Sequence, residues 1–250
     1  MQSKHKHDTD WTLDIKNSSW TEDTENQVEF IIKALQLRGD ERILDLACGY
    51  GRHSLALARR GFTVVGVDYT PAFIDDATSN APPNAQFICA DIRNVQFESE
   101  FDVVLNLADG AIGYLESDEE NLKIFDVIAR ALRPGGKHFI DVCNAEHAAR
   151  HFPKRHWEIG KKALALAAFD WNPETRRMHY VGADIPFGEE AKAPELGTDE
   201  RGCRLYSKDE LRVILRTRGL KIESTYSNFY GKPDTHKELQ LIVCSRKTAY

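Results

Sequence analysis

Between residues 25 and 140, short apolar extended segments alternate with segments of helical periodicity, and few folds accommodate that alternation. RILDLAC, TVVGVD, AQFICAD, FDVVLNLA and KHFIDVCN read as strands; SLALARR, PAFIDDATSN and NLKIFDVIARAL read as helices between them. A strand followed by a helix-length crossover pairs with the next strand in parallel and in the right-handed sense, so helices cover both faces of one sheet. The run opens with NQVEFIIKALQL, which carries Val28, Ile31, Ile32 and Leu35 on one helical stripe, and Gly39 is expected to end that helix. The fold class is α/β.

The regularity breaks after Asn144. AEHAARHFPKRHWEIG shows no single period, and KALALAAFDWNPETRRMHYVGADI reads as two extended arms around the turn NPETRR. GCRLYS is a third extended piece, reached through a polar loop, GEEAKAPELGTDE, expected to be mobile. Residues 145–206 are therefore expected to form an antiparallel β cap inserted against the strand ends. SKDELRVILRTRG opens with Ser207 and has Glu210 three residues on, a capping box before a helix that stops at Gly219. LKIESTYSNF and LQLIVCSR then read as an antiparallel hairpin around GKPDTHKE, so residues 1–250 are expected to form one domain with an N-terminal arm over 1–24.

The net charge of -6, from 33 basic and 39 acidic residues, disfavours nucleic acid as the main partner and favours a small molecule. No apolar stretch is long enough for a membrane span and the start, MQSKHKHDTDW, lacks a signal-peptide core, so a cytoplasmic protein is expected, as monomer or homodimer. Five dispersed cysteines without a CxxC pair are expected to be reduced thiols, with no metal site.

ILDLACGYGRHSLALARRG places Gly49 and Gly51 where the first strand ends, the position at which open parallel sheets bind ligands. The Gly-x-Gly-x-x-Ser spacing comes close to a dinucleotide fingerprint, and Asp68, ending the second strand, would accept from ribose hydroxyls in a dinucleotide or a nucleoside. Three features separate the two ligands. Asp45, four residues before Gly49, is a carboxylate inside an apolar strand that needs a partner, either the amides of the turn or a cationic ligand. Arg52 and His53 are bulky where a pyrophosphate would press on the helix start. Asp91, ending the third strand, suits an exocyclic amine such as that of adenine. Acids at three successive strand ends complement a nucleoside bearing a sulfonium.

ILDLACGYGRHSLALARRG, VVGVD and CADI resemble the motifs of the class I S-adenosylmethionine-dependent methyltransferases, and FDVVLNLADGAIGYL and ALRPGGKHFIDV resemble that family's later strands. The resemblance implies a Rossmann-like, mostly parallel seven-stranded sheet and S-adenosyl-L-methionine as cofactor. It puts Asp45, Ala47, Gly49 and Gly51 around the methionine part, Asp68 with Tyr69 at the ribose, Asp91 and Ile92 at the adenine, and Asn106 with Leu107 at the amino group. Ala47 stands where the family often has glycine, which is tolerated if its φ is negative. Asp109 stands where relatives more often carry a hydroxyl or an aromatic residue.

Methyl transfer needs alignment of acceptor and methyl above all, and a base only if the acceptor arrives protonated. Asp109 is the first candidate, as base or amine anchor, with N-cap of the next helix as the alternative. His147 and His151, four apart, would share a helical face and either could meet the acceptor; solvated surface is the alternative. Arg150, Lys154 and Arg155 could recognise an acidic substrate. Trp11 and Trp20 could close as a lid over the cofactor, whereas His5 and His7 are expected to be disordered. The expected activity is transfer of a methyl group to an O or N atom of a small molecule. An NAD(P)-dependent oxidoreductase and a non-catalytic cofactor-binding protein remain alternatives at this point.

Overall fold

A computed structural model describes residues 12–188 and 202–249. His5, His7, Trp11 and residues 189–201 of the polar loop lie outside the described residues. Two short 3-10 turns, Leu13–Asn17 and Ser19–Thr21, precede α1 (Thr24–Leu35). The alternating run follows as β1 (Arg42–Leu46), α2 (Arg52–Arg59), β2 (Thr63–Asp68), α3 (Pro71–Ser79), β3 (Ala85–Cys89), β4 (Phe101–Asn106), α4 (Asp118–Ala131) and β5 (Leu132–Cys143). Then come α5 (Ala145–His151), β6 (Lys154–Ile159), β7 (Ala163–Asn172), β8 (Arg177–Pro186), β9 (Cys203–Arg204), α6 (Lys208–Arg216), β10 (Leu220–Tyr226) and β11 (Gln240–Lys247).

The expected seven-stranded sheet is present, in the order β10-β11-β5-β4-β1-β2-β3, and β11 alone runs antiparallel to its neighbours. Strand order reverses between β1 and β4, which opens a crevice at their carboxyl ends. The two-residue period of β1 divides its side chains between two cores. Leu44 and Leu46 join Phe125, Ile128 and Leu211 on the α4/α6 face, and Ile43 joins Val28, Ile31 and Leu57 on the α1/α2 face. Each such apolar side chain, fully buried, contributes about 1.5–3 kcal/mol. The same period turns Asp45 toward α2.

The cap is a separate four-stranded sheet, β6-β7-β8-β9, with β7 and β8 paired over their full lengths from Ala163↔Pro186 to Asn172↔Arg177. The segment that showed no single period holds both α5 and β6. Two turns of helix, capped by the Asn144 side chain accepting from the Glu146 amide, are too short to show a stripe. An edge strand exposed at every position leaves no alternation to read. The capping box of Ser207 and Glu210 forms as expected. Helix α1 ends earlier than Gly39: Gln36 takes the left-handed conformation at φ 50° and the Leu37 amide donates back to the Ile32 carbonyl at 2.9 Å.

Ala47 departs from the negative φ expected of it and sits at +57°. A Cβ in this region meets the following carbonyl and costs on the order of 1 kcal/mol. Ala47→Gly is expected to raise unfolding stability by about 0.5–1 kcal/mol, seen as a higher denaturant midpoint at unchanged slope. A lower midpoint would mean that the methyl group's packing outweighs the strain.

Candidate cofactor and acceptor site

The turn after β1 is built by backbone hydrogen bonds. The Cys48 amide donates to the Val67 carbonyl and the Gly51 amide to the Cys48 carbonyl, each at 3.0 Å. The two glycines have different duties. A Cβ on Gly49 would meet nothing nearer than Phe73 at 4.0 Å, so the space over it is open to a ligand. A Cβ on Gly51 would lie 2.9 Å from the Phe87 ring, so that glycine serves close packing and a φ of +76° at the start of α2.

The acids gather at the strand ends. Asp68 accepts from the Gly49 amide through one oxygen and from the Thr70 amide through the other, both at 2.9 Å, so it braces the turn from the end of β2. Tyr69 follows it, half exposed on the rim. Asp45 is buried and accepts from the Ser54 hydroxyl at 2.5 Å; burial pushes its carboxyl up to about 7 against the pull of Ser54 and Arg52. Asp91 sits in a fork of the Arg93 guanidinium, with Nε 3.0 Å from each carboxylate oxygen, and Ile92 beside it is buried.

Arg52 and His53 part company. The Arg52 guanidinium donates to Gln27 at 2.6 Å and Thr24 at 3.0 Å, lies 5.3 Å from the Trp20 ring, and feels the fields of Asp141 and Asp45. His53 is buried against Gln27 at 2.7 Å, so it turns toward α1 instead of crowding the helix start as expected from its position. Trp20 belongs to a strap formed by the 3-10 turns. Lys16 pairs with Asp76 of α3 at 2.6 Å and lies 5.2 Å from the Tyr50 ring, while Ser18 donates to Asp184 of the cap at 2.6 Å.

On β4, Asn106 donates its amide to the carbonyls of Leu46 at 3.0 Å and Gly110 at 2.9 Å, which fixes its orientation. Its Oδ1 is buried with no hydrogen-bond partner among the described residues. Leu107 next to it is buried in the α1/α2 core. An orphaned acceptor, open space over Gly49 and a set of carboxylates fit a cationic nucleoside cofactor.

The chain then makes a left-handed turn. Ala108, Asp109, Gly110 and Ala111 all have positive φ, between 48° and 66°. Strain of this kind concentrates at functional sites. Asp109 is held there by the Cys143 amide, donating at 2.8 Å, and by the Tyr114 hydroxyl at 3.3 Å. It does not cap the next helix; Ser117 does. Burial raises the Asp109 carboxyl above its ordinary range. Asp141 on β5, which sequence reasoning missed, accepts from the Ala108 amide at 3.3 Å and Gln240 at 2.9 Å, and burial with the Asp109 charge pushes it up to about 7. Its signal was the one that marked Asp45, an acid within an apolar strand. His147 and His151 share a face of α5, their rings 4.5 Å apart. His147 is not solvated: it is buried, its ring bonded through Nδ1 to the His236 carbonyl at 3.1 Å and set against Phe152.

No helix among the described residues is long and apolar enough to cross a membrane. Residues 43–136 match a family model described as a methyltransferase domain. The chain is 34% identical over 213 residues to the putative methyltransferase YqeM of Bacillus subtilis, covering 83% of this chain and 84% of that one. It is 35% identical over 206 residues to the cypemycin N-terminal methyltransferase of a Streptomyces species, covering 80% and 81%. In fold it is similar to the CcbJ methyltransferase of Streptomyces caelestis, with a TM-score of 0.71 over 96% of this chain and 94% of that one at 18% identity. The nicotinamide alternative has no support among these relatives. With the strand order, the open glycine turn and the acid-lined crevice, they establish that the chain belongs to the class I S-adenosylmethionine-dependent methyltransferases, enzymes that use S-adenosyl-L-methionine as cofactor.

Proposed function

We propose that the enzyme methylates a nitrogen or oxygen atom of a small molecule held between the ends of β4 and β5 and the cap. The observation that carries this reading is the Asp109 carboxylate, fixed by the Cys143 amide on a strained turn beside the cofactor crevice. A relative whose name records an N-terminal methyltransferase supports a nitrogen acceptor. The cofactor supplies, when bound, an activated methyl carbon on a sulfonium.

Asp68 takes the ribose hydroxyls beside Tyr69, and Asp91 with the Ile92 amide takes the adenine. Asp45 and Asn106 Oδ1 face the cationic end, with Ala47, Gly49, Gly51 and Leu107 shaping the wall. Trp20, stacked on Arg52, closes the crevice from the N-terminal strap and excludes water. Asp109 is positioned to take up the proton that the acceptor's nitrogen or oxygen sheds on receiving the methyl group that the cofactor would supply. His147 and His151 stand at the base of the cap as candidates for contact with the acceptor.

With methyl-labelled cofactor and a cell extract, label is expected in the small-molecule fraction; label confined to precipitated protein or RNA would overturn the reading. In the same assay Asp109→Asn should lower turnover at least tenfold with cofactor affinity unchanged, since the amide keeps the Cys143 bond but takes up no proton. Asp68→Ala should weaken cofactor binding at least tenfold in calorimetry, because it removes both a charge-assisted contact and the brace on Gly49. Asp45 adds a pH dependence. Its raised carboxyl stabilises the folded chain below the unfolded value of 3.8, and that contribution is lost as pH rises through about 7. A cationic ligand selects the ionised form, so affinity should fall by up to about tenfold per pH unit below 7 and level off above it. Asp45→Asn is expected to flatten that slope in titrations across pH.

A further inference from the structure

Asp109 is held unevenly. Its Oδ1 takes the Cys143 amide at 2.8 Å, whereas its Oδ2 has two longer contacts, the Tyr114 hydroxyl at 3.3 Å and the Cys143 thiol at 3.7 Å. The terminal torsion of an aspartate is broad, so one amide bond leaves the carboxylate free to pivot about the oxygen it holds. A thiol is a weak donor. The direction of Oδ2 therefore depends on the Tyr114 hydroxyl.

The backbone on both sides of Tyr114 is fixed. Asn121 of α4, wholly buried, accepts through Oδ1 from the Gly113 amide at 2.7 Å and the Leu115 amide at 3.3 Å, and its own amide donates to the Ser117 carbonyl at 2.9 Å. Gly113, at φ +90°, accepts through its carbonyl from the Arg204 amide of β9 at 2.8 Å, and a Cβ there would run into the Arg204 carbonyl. One buried side chain and one cap strand thus hold the residues that flank Tyr114. Its ring nevertheless stays 39% exposed, so the side chain is not there to fill a core.

Burial and the Asp109 charge push the Tyr114 hydroxyl well above its ordinary range, which keeps it a neutral donor. In return its bond draws the Asp109 carboxyl down against the effect of burial. The other titratable groups around the pair are Asp141 and Cys143 on β5 and Cys203 on β9. Burial and the Asp109 charge push the Cys143 thiol up, so it stays protonated, and Asp141 feels the same charge.

We propose that Tyr114 is a positioning residue of the methyl transfer, its hydroxyl aiming Asp109 Oδ2 at the proton that the acceptor sheds. The inference rests on the role given to Asp109 above. Tyr114 acts through the carboxylate, and a contact of 3.3 Å suits that role, since such bonds are often long before substrate binds and tighten in the complex.

Tyr114→Phe keeps the ring and removes only the hydroxyl. In the labelled-methyl assay its maximal rate is expected to fall about tenfold, with the half-saturating amount of extract and the calorimetric affinity for S-adenosyl-L-methionine unchanged. The acid limb of its pH profile should move up by about one unit, because the carboxyl loses a donor. In chains carrying isotope-labelled aspartate, the Asp109 infrared band, identified by its loss in Asp109→Asn, should titrate higher by the same amount. Replacing tyrosine throughout with 3-fluorotyrosine, a stronger donor, should move that band the other way, a measurement that stands even if Tyr114→Phe unfolds. In the Asp109→Asn background Tyr114→Phe should change the rate almost not at all, whereas a purely structural tyrosine would cost as much there as in the parent. A parent-like maximal rate in Tyr114→Phe, an Asp109 band that does not move, or a full loss in the Asp109→Asn background would overturn the proposal. The infrared titration uses no acceptor and the rate is read on whichever fraction takes label. Label in protein or RNA would therefore sink the small-molecule reading while these measurements still decide the role of Tyr114.

Discussion

The hydrogen bond from the Gly49 amide to the Asp68 carboxylate joins two strand ends, and the cofactor site depends on it. Parallel strands leave their carboxyl-end loops unpaired, and a glycine turn would otherwise be free to sample many conformations. The carboxylate removes that freedom by taking amides from the β1 turn and from the start of α3 together. Once the turn is fixed, the positive φ of Ala47, Gly49 and Gly51 follows, and so does the open space over Gly49. In the function proposed above the same acid would also meet the ribose, so that a structural brace and a binding contact share one group.

The crevice is also an electrostatic device. Asp45 and Asp141 are buried near strand ends with carboxyls raised to about 7, and Arg52 is the cation between them and the strap. Burying acids without full compensation is unfavourable for the empty protein. A cationic ligand reverses that sign, because it supplies the missing charge in a region where water screens little. In the function proposed above, relief of that penalty would contribute to cofactor binding. The left-handed turn of Ala108 to Ala111 is a second stored cost, and it holds Asp109 against β5 where a helix or a relaxed loop would carry it away.

Much of this was legible along the chain. Alternating strands and helices gave the parallel sheet, and Asp45, Asp68 and Asp91 were found because a carboxylate at or near the end of an apolar strand is conspicuous. Asp141 carried the same signal and was passed over inside KHFIDVC. What the sequence could not show were contacts between distant segments. The turning of His53 toward Gln27 while Arg52 meets Trp20 depends on how α1 lies on α2, and the Asp109 geometry depends on the register of β4 against β5. Helix α5 and strand β6 were missed for a local reason, since a two-turn helix and an exposed edge strand bury too little to leave a period.

By itself, then, the sequence determined the fold class, the crevice and the charge that lines it, because these follow from hydrophobic period and from residues placed at element ends. Tertiary structure alone decided that Gly51 serves packing while the space over Gly49 stays open, that Asp109 is held by β5, and that one face of the cap is left apolar and open. Those properties arise where separate elements meet, and period along a single chain carries no record of which elements those will be.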